Sequence, residues 1–495
     1  MDLSHTIAAM RPAQRAWADL TVAERAGHLK TVARRLVERA DDLVAVVERE
    51  TRKSAADAWF AEVVPNVDLF TWWTGPGART IAPQAPRLSA LRYPGKEGEL
   101  TYEPKGIVGL ITPWNYPAAL PLRALIPALL AGNAVLFKPS EVTPETGDLV
   151  AKLFQDVLPG GLVAVVHGGA EAGQAVVDVA DHVVFIGGPA AGRAVAARAA
   201  ERLITASLEL GGNDAAIVLA DCDLDRTVQG VTWGAFTNSG QNCAAIERVY
   251  VVRALHDAFV ARMVAFAGQL SVAPLATEAQ DALVRAHLQD ALDRGATAHG
   301  TYPGPVVLTD VPEAARVLRE ETFGPLCPVI AVADAEAGLR AANNSALGLT
   351  LSVWTRDNAR ARSLARRARA GVVTVNNVAM TASMPFAPWS GRGASGTGVT
   401  NSHLAILEMV VPKYVLIDHS RDPEPWWFPG GEGAVSLAKR SLAWLVAGPL
   451  GRALGVFGLL RAVRARIATQ RALLSRRERS TATPGEAEKS TSAAE

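Results

Sequence analysis

The chain has 495 residues, more than one hydrophobic core usually organises, so two or more domains are expected. Hydrophobic residues at 49% and charged residues at 20% exclude global disorder, and a net charge of +1 leaves no whole-chain basic field for nucleic acid. Three cysteines, none in a CxxC pair, exclude a disulfide framework and give no sign of a metal site; with no apolar leader-like run at the N-terminus, they point to a reducing, cytoplasmic setting.

Residues 5–75 place Leu29, Val32, Leu36, Leu43, Val46 and Val47 at helical spacing. From residue 88 the texture changes, and LSALRY (88–93) and ELTYEP (99–104) predict two short strands around a PGKEG turn. The apolar runs 107–113, AVLFKP (134–139), LVAVVHG (162–168), HVVFIGG (182–188) and LITASLELGG (203–212) then alternate with helical stretches. That alternation predicts βαβ units and a parallel, doubly wound sheet. A second α/β pattern starts near AAIVLA (215–220) and runs to residue 400 through RVYVV, PVIAVA, LTLSVWT and GVVTVNN. VVPKYVLID (410–418) is a late strand, and DPEPWWFPGGEG begins a Pro/Gly linker. Residues 434–477 are rich in Leu, Val, Ala and Arg without Asp or Glu, and the polar end from 478 predicts disorder.

Four clusters carry chemistry. In FTNSGQNCAA (236–245), small neighbours leave the Cys243 thiol accessible, and a thiolate is a natural nucleophile for a carbonyl carbon; taken alone, a buried inert cysteine is the alternative. Cys222 and Cys327 have no such surroundings. In LELGGND (208–214), Glu209 precedes two glycines at a strand end, suited to a general base or, alternatively, to a surface turn. In ITPWNYP (111–117), the amide of Asn115, between Trp114 and Tyr116, can donate to an oxyanion or make an Asx turn. The last is a nucleotide-type set. Lys138 and Glu141 end a strand and suit ribose hydroxyls, VVFIGGPAAG (183–192) is a strand, glycine turn and helix start, and EETFGP (320–325) adds a carboxylate and an aromatic ring.

Together these motifs resemble the aldehyde dehydrogenase superfamily over roughly residues 10–420, with 34 residues between Glu209 and Cys243 (243 − 209) and with KPSE, EETFGP, GVVTVNN and MPFAPWSG in the family's order. The resemblance implies an α/β chain: a variant Rossmann NAD(P)-binding domain at 1–87 and 105–212, a catalytic domain at 213–400, and a small β oligomerisation element at 88–104 and 405–420. A linker at 421–433, the basic apolar tail at 434–477 and a disordered end at 478–495 would follow. It implies a homodimer or homotetramer that oxidises a small-molecule aldehyde. Cys243 would form a thiohemiacetal and then a thioester, Asn115 and the Cys243 backbone N–H would hold the oxyanion, and Glu209 would activate water. Trp114, Lys138, Glu141, Gly187, Gly192, Glu321 and Phe323 would contact the cofactor, while Phe236, Asn242 and Phe386 are expected in the substrate pocket.

Two departures stand out. Many members carry a serine where this chain has Gly188, which removes one phosphate hydrogen bond of about 1 kcal/mol; the stretch near 270–310 is also short. A carboxylate at Glu141 accepts from a 2′-hydroxyl and repels a 2′-phosphate, which favours NAD over NADP. CoA-acylating members need no water-activating base, so Glu209 argues against that chemistry, and the intact Cys243, Glu209 and Asn115 argue against a non-catalytic membrane scaffold. In the tail, SLAWLVAGPLGRALGVFGLL (441–460) holds one charge, Arg452, yet its four glycines, proline and central arginine argue against a clean membrane span. It suits a peripheral contact with anionic headgroups and a hydrophobic substrate, or else a helix packed on protein. Trp426 and Trp427 suit interfacial anchors or packing equally.

Overall fold

The structure is a computed structural model that describes residues 1–481. It forms two compact units, the first comprising Met1–Pro83 and Thr101–Lys413.

The first unit opens with the helices Ser4–Ala18, Val22–Glu38 and Ala40–Thr51. Thr21 starts the second with a capping box: its hydroxyl accepts from Glu24 N (3.2 Å), and the Glu24 carboxylate accepts from Thr21 N (2.7 Å). The expected stripe faces inward, with Leu29, Val32 and Leu36 buried. Trp17 Nε1 and Arg25 Nε donate to the carbonyls of Leu129 (2.8 Å) and Leu130 (2.8 Å), tying these helices to the end of the helix Ala119–Leu130.

Two sheets follow. In the first, the parallel strands run Thr205–Glu209, His182–Ile186, Ile107–Ile111, Ala134–Lys138 and Val163–Val165 in spatial order, with Gly396–Thr397 antiparallel on Thr205–Glu209. Chain order therefore reverses between Ile107–Ile111 and its neighbour His182–Ile186, and the crevice at the carboxyl ends of these strands is where such sheets bind ligands. Three of these strands are buried throughout, as their apolar runs predict. The second sheet runs Val372–Val375, Thr350–Trp354, Asp214–Val218, Ile246–Val252, Leu326–Val332, Val306–Thr309 and Thr297–His299; only the last pairs antiparallel.

The expected hairpin near 88–104 does not form. Residues 88–93 turn instead, because Ser89 O takes the N–H groups of both Arg92 (3.0 Å) and Tyr93 (2.8 Å). Lys96–Pro104 is a single strand whose partner is Val410–Asp418. The late strand forms as expected over Val410–Asp418, although the β element expected from 405 begins in the helix Ser402–Leu407.

The second unit comprises Gln84–Leu100 and the chain from Tyr414. Lys96 pairs with Asp418 (3.2 Å) and with Glu424. The basic apolar segment forms two helices, Glu432–Val446 and Pro449–Thr481, broken where Pro449 removes a backbone donor. Among the described residues no helix is long and apolar enough to cross a membrane. Of the end expected to be disordered, 478–481 continue the last helix, and 482–495 lie outside the described residues.

Candidate active site

The strand Ile107–Ile111 delivers Thr112–Asn115 to the sheet's reversal point. Asn115 is buried there; one N–H of its amide donates to Gln241 O (3.2 Å), while its side-chain oxygen has no hydrogen-bond partner among the described residues. Its backbone carbonyl is held by Lys53 Nζ (2.8 Å) and Asn238 Nδ2 (3.1 Å). Lys53 in turn pairs with Glu62 (2.6 Å), both side chains fully buried, and Glu62 accepts from the N–H groups of Ala118 (3.1 Å) and Ala119 (2.7 Å). A carboxylate thus caps the helix start that follows Asn115, and the buried pair fixes the loop.

Cys243 follows a tight loop. Asn238 and Ser239 are left-handed (φ 50° and 58°), and a Cβ on Gly240 would lie 2.2 Å from Gly324 O, so glycine is required there. The thiol is half-buried, 3.8 Å from Asn242 Oδ1, and the Cys243 backbone N–H makes no hydrogen bond among the described residues. Burial, reinforced by the charges of Glu209, Glu321 and Asp214, pushes the thiol well above its ordinary value, while Arg123 pulls it down. Cys222 and Cys327 are buried thiols raised chiefly by desolvation. Glu209 ends its strand buried, accepting from Trp389 Nε1 (2.7 Å) and Thr400 Oγ1 (3.4 Å). Burial raises its carboxyl, with Arg123 and these hydrogen bonds opposing.

Two cavities meet at the thiol. One, of about 220 Å³, is lined by Trp114, Asn115, Gly187, Glu209, Cys243, Glu321 and Phe323 among others. The other, of about 320 Å³, is lined by Phe60, Tyr116, Arg123, Trp233, Asn242 and Cys243 among others. The first fits a dinucleotide. It lies at the reversal point, and a Cβ on Gly188, at the start of the helix Pro189–Glu201, would meet nothing within 4 Å, so backbone can approach a phosphate closely. Glu321 accepts from Gly212 N (2.9 Å), and Trp114 packs edge-to-face on Phe323 with centroids 5.7 Å apart. Phe323 is left-handed (φ 53°), held by buried Glu247, which accepts from Thr322 N (2.8 Å) and Phe323 N (2.7 Å).

Other expected residues sit elsewhere. Gly192 does not line the cavity; a Cβ there would lie 2.4 Å from Leu210, so it serves helix-to-strand packing. Lys138 and Glu141 pair (2.8 Å) at the end of the adjacent strand, outside the cavity wall. Asn242 lines the second cavity, but Phe236 and Phe386 do not. Phe236 lies on the core side of the helix Leu224–Phe236, whereas Trp233, one turn earlier, supplies the aromatic wall; Phe386 is 61% exposed. Arg123, Trp389, Lys53, Glu62 and Glu247 were not found from sequence. Of these, Trp389 lay inside the MPFAPWSG motif, and Arg123 is a lone charge in an apolar helix.

A half-buried thiol shared by two cavities, one at the reversal point of a doubly wound sheet, is the layout of a dinucleotide-dependent oxidoreductase. The chain matches the model of the aldehyde dehydrogenase family over residues 1–415, and it belongs to that family. It is 37% identical over 430 residues to 4,4'-diapolycopene aldehyde oxidase of Methylomonas sp, covering 83% of this chain and 81% of that protein. Among solved structures, it resembles the NADP-dependent glyceraldehyde-3-phosphate dehydrogenase from Bacillus halodurans C-125 complexed with NADP (TM-score 0.79, 30% identity, 84% of this chain and 90% of that one). It also resembles the NAD+ complex of aldehyde dehydrogenase from Bacillus cereus (TM-score 0.80, 29% identity, 85% and 89%). The family and fold class expected from sequence are borne out.

Proposed function

We propose that this aldehyde dehydrogenase oxidises an apolar aldehyde to its carboxylic acid through a covalent adduct on Cys243. The observation that carries the mechanism is that Cys243 lines both cavities, with Asn115 and Glu209 in the wall of the first. NAD(P)+, when bound, supplies the hydride acceptor. The Cys243 sulfur, as thiolate, adds to the aldehyde carbon to give a thiohemiacetal. Its oxyanion takes the unbonded backbone N–H of Cys243 and the remaining amide N–H of Asn115. Loss of hydride leaves a thioester. Glu209 takes a proton from water as that water attacks the thioester carbon, releasing the acid and returning the thiolate. The balance is aldehyde, water and NAD(P)+ to carboxylate, NAD(P)H and two protons.

The aromatic walls Phe60, Tyr116 and Trp233 support the apolar substrate, as does the name of the Methylomonas relative. Arg123 favours a second reading, an aldehyde with a distant carboxylate, because this half-buried guanidinium in the wall makes no ion pair among the described residues. For the cofactor, burial raises the Glu141 carboxyl, but Lys138 and a backbone hydrogen bond bring it below its ordinary value, so it is ionised and repels a 2′-phosphate. That supports NAD over NADP. The strand Val410–Asp418 exposes Val411, Tyr414, Val415, Leu416 and Ile417, which supports assembly as a homodimer or homotetramer through this strand.

NADH formation measured across aliphatic, aromatic and carboxylate-bearing aldehydes tests the substrate class. Higher kcat/KM for longer apolar aldehydes is expected. A preference for a carboxylate-bearing aldehyde that Arg123→Met abolishes would establish the second reading instead.

A further inference from the structure

We propose that the paired helices Glu432–Val446 and Pro449–Thr481, with the aromatic loop before them, dock on an anionic lipid surface. Val435, Lys439, Leu442 and Val446 follow one another at i, i+4, i+7 and i+11 in the first helix, a single stripe, and all four are exposed. Leu450, Leu454, Phe457 and Arg461 repeat the same spacing in the second, again all exposed, with Arg464 continuing the stripe. The opposite side of the second helix faces inward, where Arg466 and Gln470 are buried.

These two buried residues build the loop. Arg466 donates to the carbonyls of Pro425 (3.1 Å) and Trp427 (2.9 Å) and to that of Pro429, and Gln470 Nε2 donates to Glu424 O (3.0 Å) and Trp427 O (2.9 Å). The backbone is therefore held while three consecutive aromatic side chains project: Trp426 is 70% exposed, Trp427 55% and Phe428 94%. At the other end, Trp444 Nε1 donates to Arg452 O (2.9 Å), locking one helix to the other. An ordered support for solvent-facing aromatic and aliphatic side chains is an interaction surface.

Charge selects the partner. Residues 434–477 contain nine Lys and Arg and no Asp or Glu; Arg466 is buried and Arg471 pairs with Asp422, while Lys439, Arg440, Arg452, Arg461 and Arg464 are exposed and complement anionic headgroups. The apolar stretch Pro449–Leu460 spans about 18 Å as a helix, well short of a bilayer core of about 30 Å, and it carries the exposed Arg452. The helices therefore lie in the interface, with the tryptophans at headgroup depth.

Flotation of the full chain with phosphatidylcholine vesicles, with and without about a third phosphatidylglycerol, tests the proposal. The wild type floats with the anionic vesicles, and raising salt from about 0.1 M to about 1 M reduces the bound fraction several-fold. The double variant Leu454→Glu/Phe457→Glu loses binding at least about tenfold, because it puts charge where apolar groups insert, while turnover of a short soluble aldehyde is unchanged. Arg461→Glu/Arg464→Glu removes the selectivity for anionic vesicles. Absence of flotation overturns the proposal, as does binding that ignores both variants. A Leu454→Glu/Phe457→Glu protein that splits a wild-type oligomer in light scattering, with no vesicle binding by the wild type, assigns the surface to a second copy instead.

Discussion

The surroundings of Cys243 and the paired helices after Gly431 break the same rule in opposite directions. Around the thiol, charge is inside: Glu209, Asp214, Glu247 and Glu321 are carboxyls raised chiefly by burial. In the helices, apolar groups are outside: Leu450, Leu454 and Phe457 face solvent at 74%, 74% and 78% exposure. Each departure has a local compensation. The carboxyls accept hydrogen bonds from Trp389, Thr350, Thr322 and Gly212, and the exposed stripes sit on helices that Arg466 and Trp444 fasten. The two departures differ in sign: the buried carboxyls are where the proposed reaction would take place, and the exposed apolar stripes are what the proposed lipid contact rests on.

The comparison breaks most visibly at the thiol. Cys243→Ala is expected to lower aldehyde oxidation by at least about a thousandfold while NADH binding, followed by fluorescence, persists. If turnover survives, the buried carboxyls surround no nucleophile. Next comes the clamp beneath Asn115. Lys53→Met leaves Glu62 buried and unpaired, so urea unfolding should show a loss of about 3–5 kcal/mol. A loss below about 1 kcal/mol would mean that water reaches the pair.

Glu209→Gln sharpens the buried-charge side. It should give a burst of NADH followed by turnover slowed about a hundredfold, because only the second half-reaction needs the base. Its raised carboxyl sets the pH dependence: the base acts when ionised, so hydrolysis rises with pH through a midpoint above that of an ordinary glutamate. A hydrolysis rate already flat at pH values just above the usual carboxylate range would contradict the burial argument. The smallest effect is expected at Glu141, outside the cavity and partly exposed. Glu141→Ser should narrow the NAD-over-NADP ratio of kcat/KM several-fold, and an unchanged ratio would place cofactor choice elsewhere.

What was legible in the sequence followed how each residue is held. Ile107–Ile111, Ala134–Lys138 and His182–Ile186 could be read because strands buried on both faces are continuous apolar runs. Cys243, Glu209 and Asn115 stood out because their loops need local glycines and turns. The Lys53–Glu62 clamp could not be read, since it joins Asn115 across 62 residues and nothing local betrays it. LSALRY misled because its alternation fits a strand, while one carbonyl, that of Ser89, gathers it into a turn. Phe236 misled because one helix turn separates its core face from the cavity wall that Trp233 supplies, a distinction only packing makes.

The central claim is that the aldehyde carbon becomes attached to the Cys243 sulfur. The direct measurement is intact and peptide mass spectrometry of Glu209→Gln quenched during the NADH burst with an aldehyde and NAD+. The account predicts one acyl group per active chain, on the peptide carrying Cys243 and absent without NAD+. A burst with no adduct, or an acyl group on the peptide of Cys222 or Cys327, would contradict it.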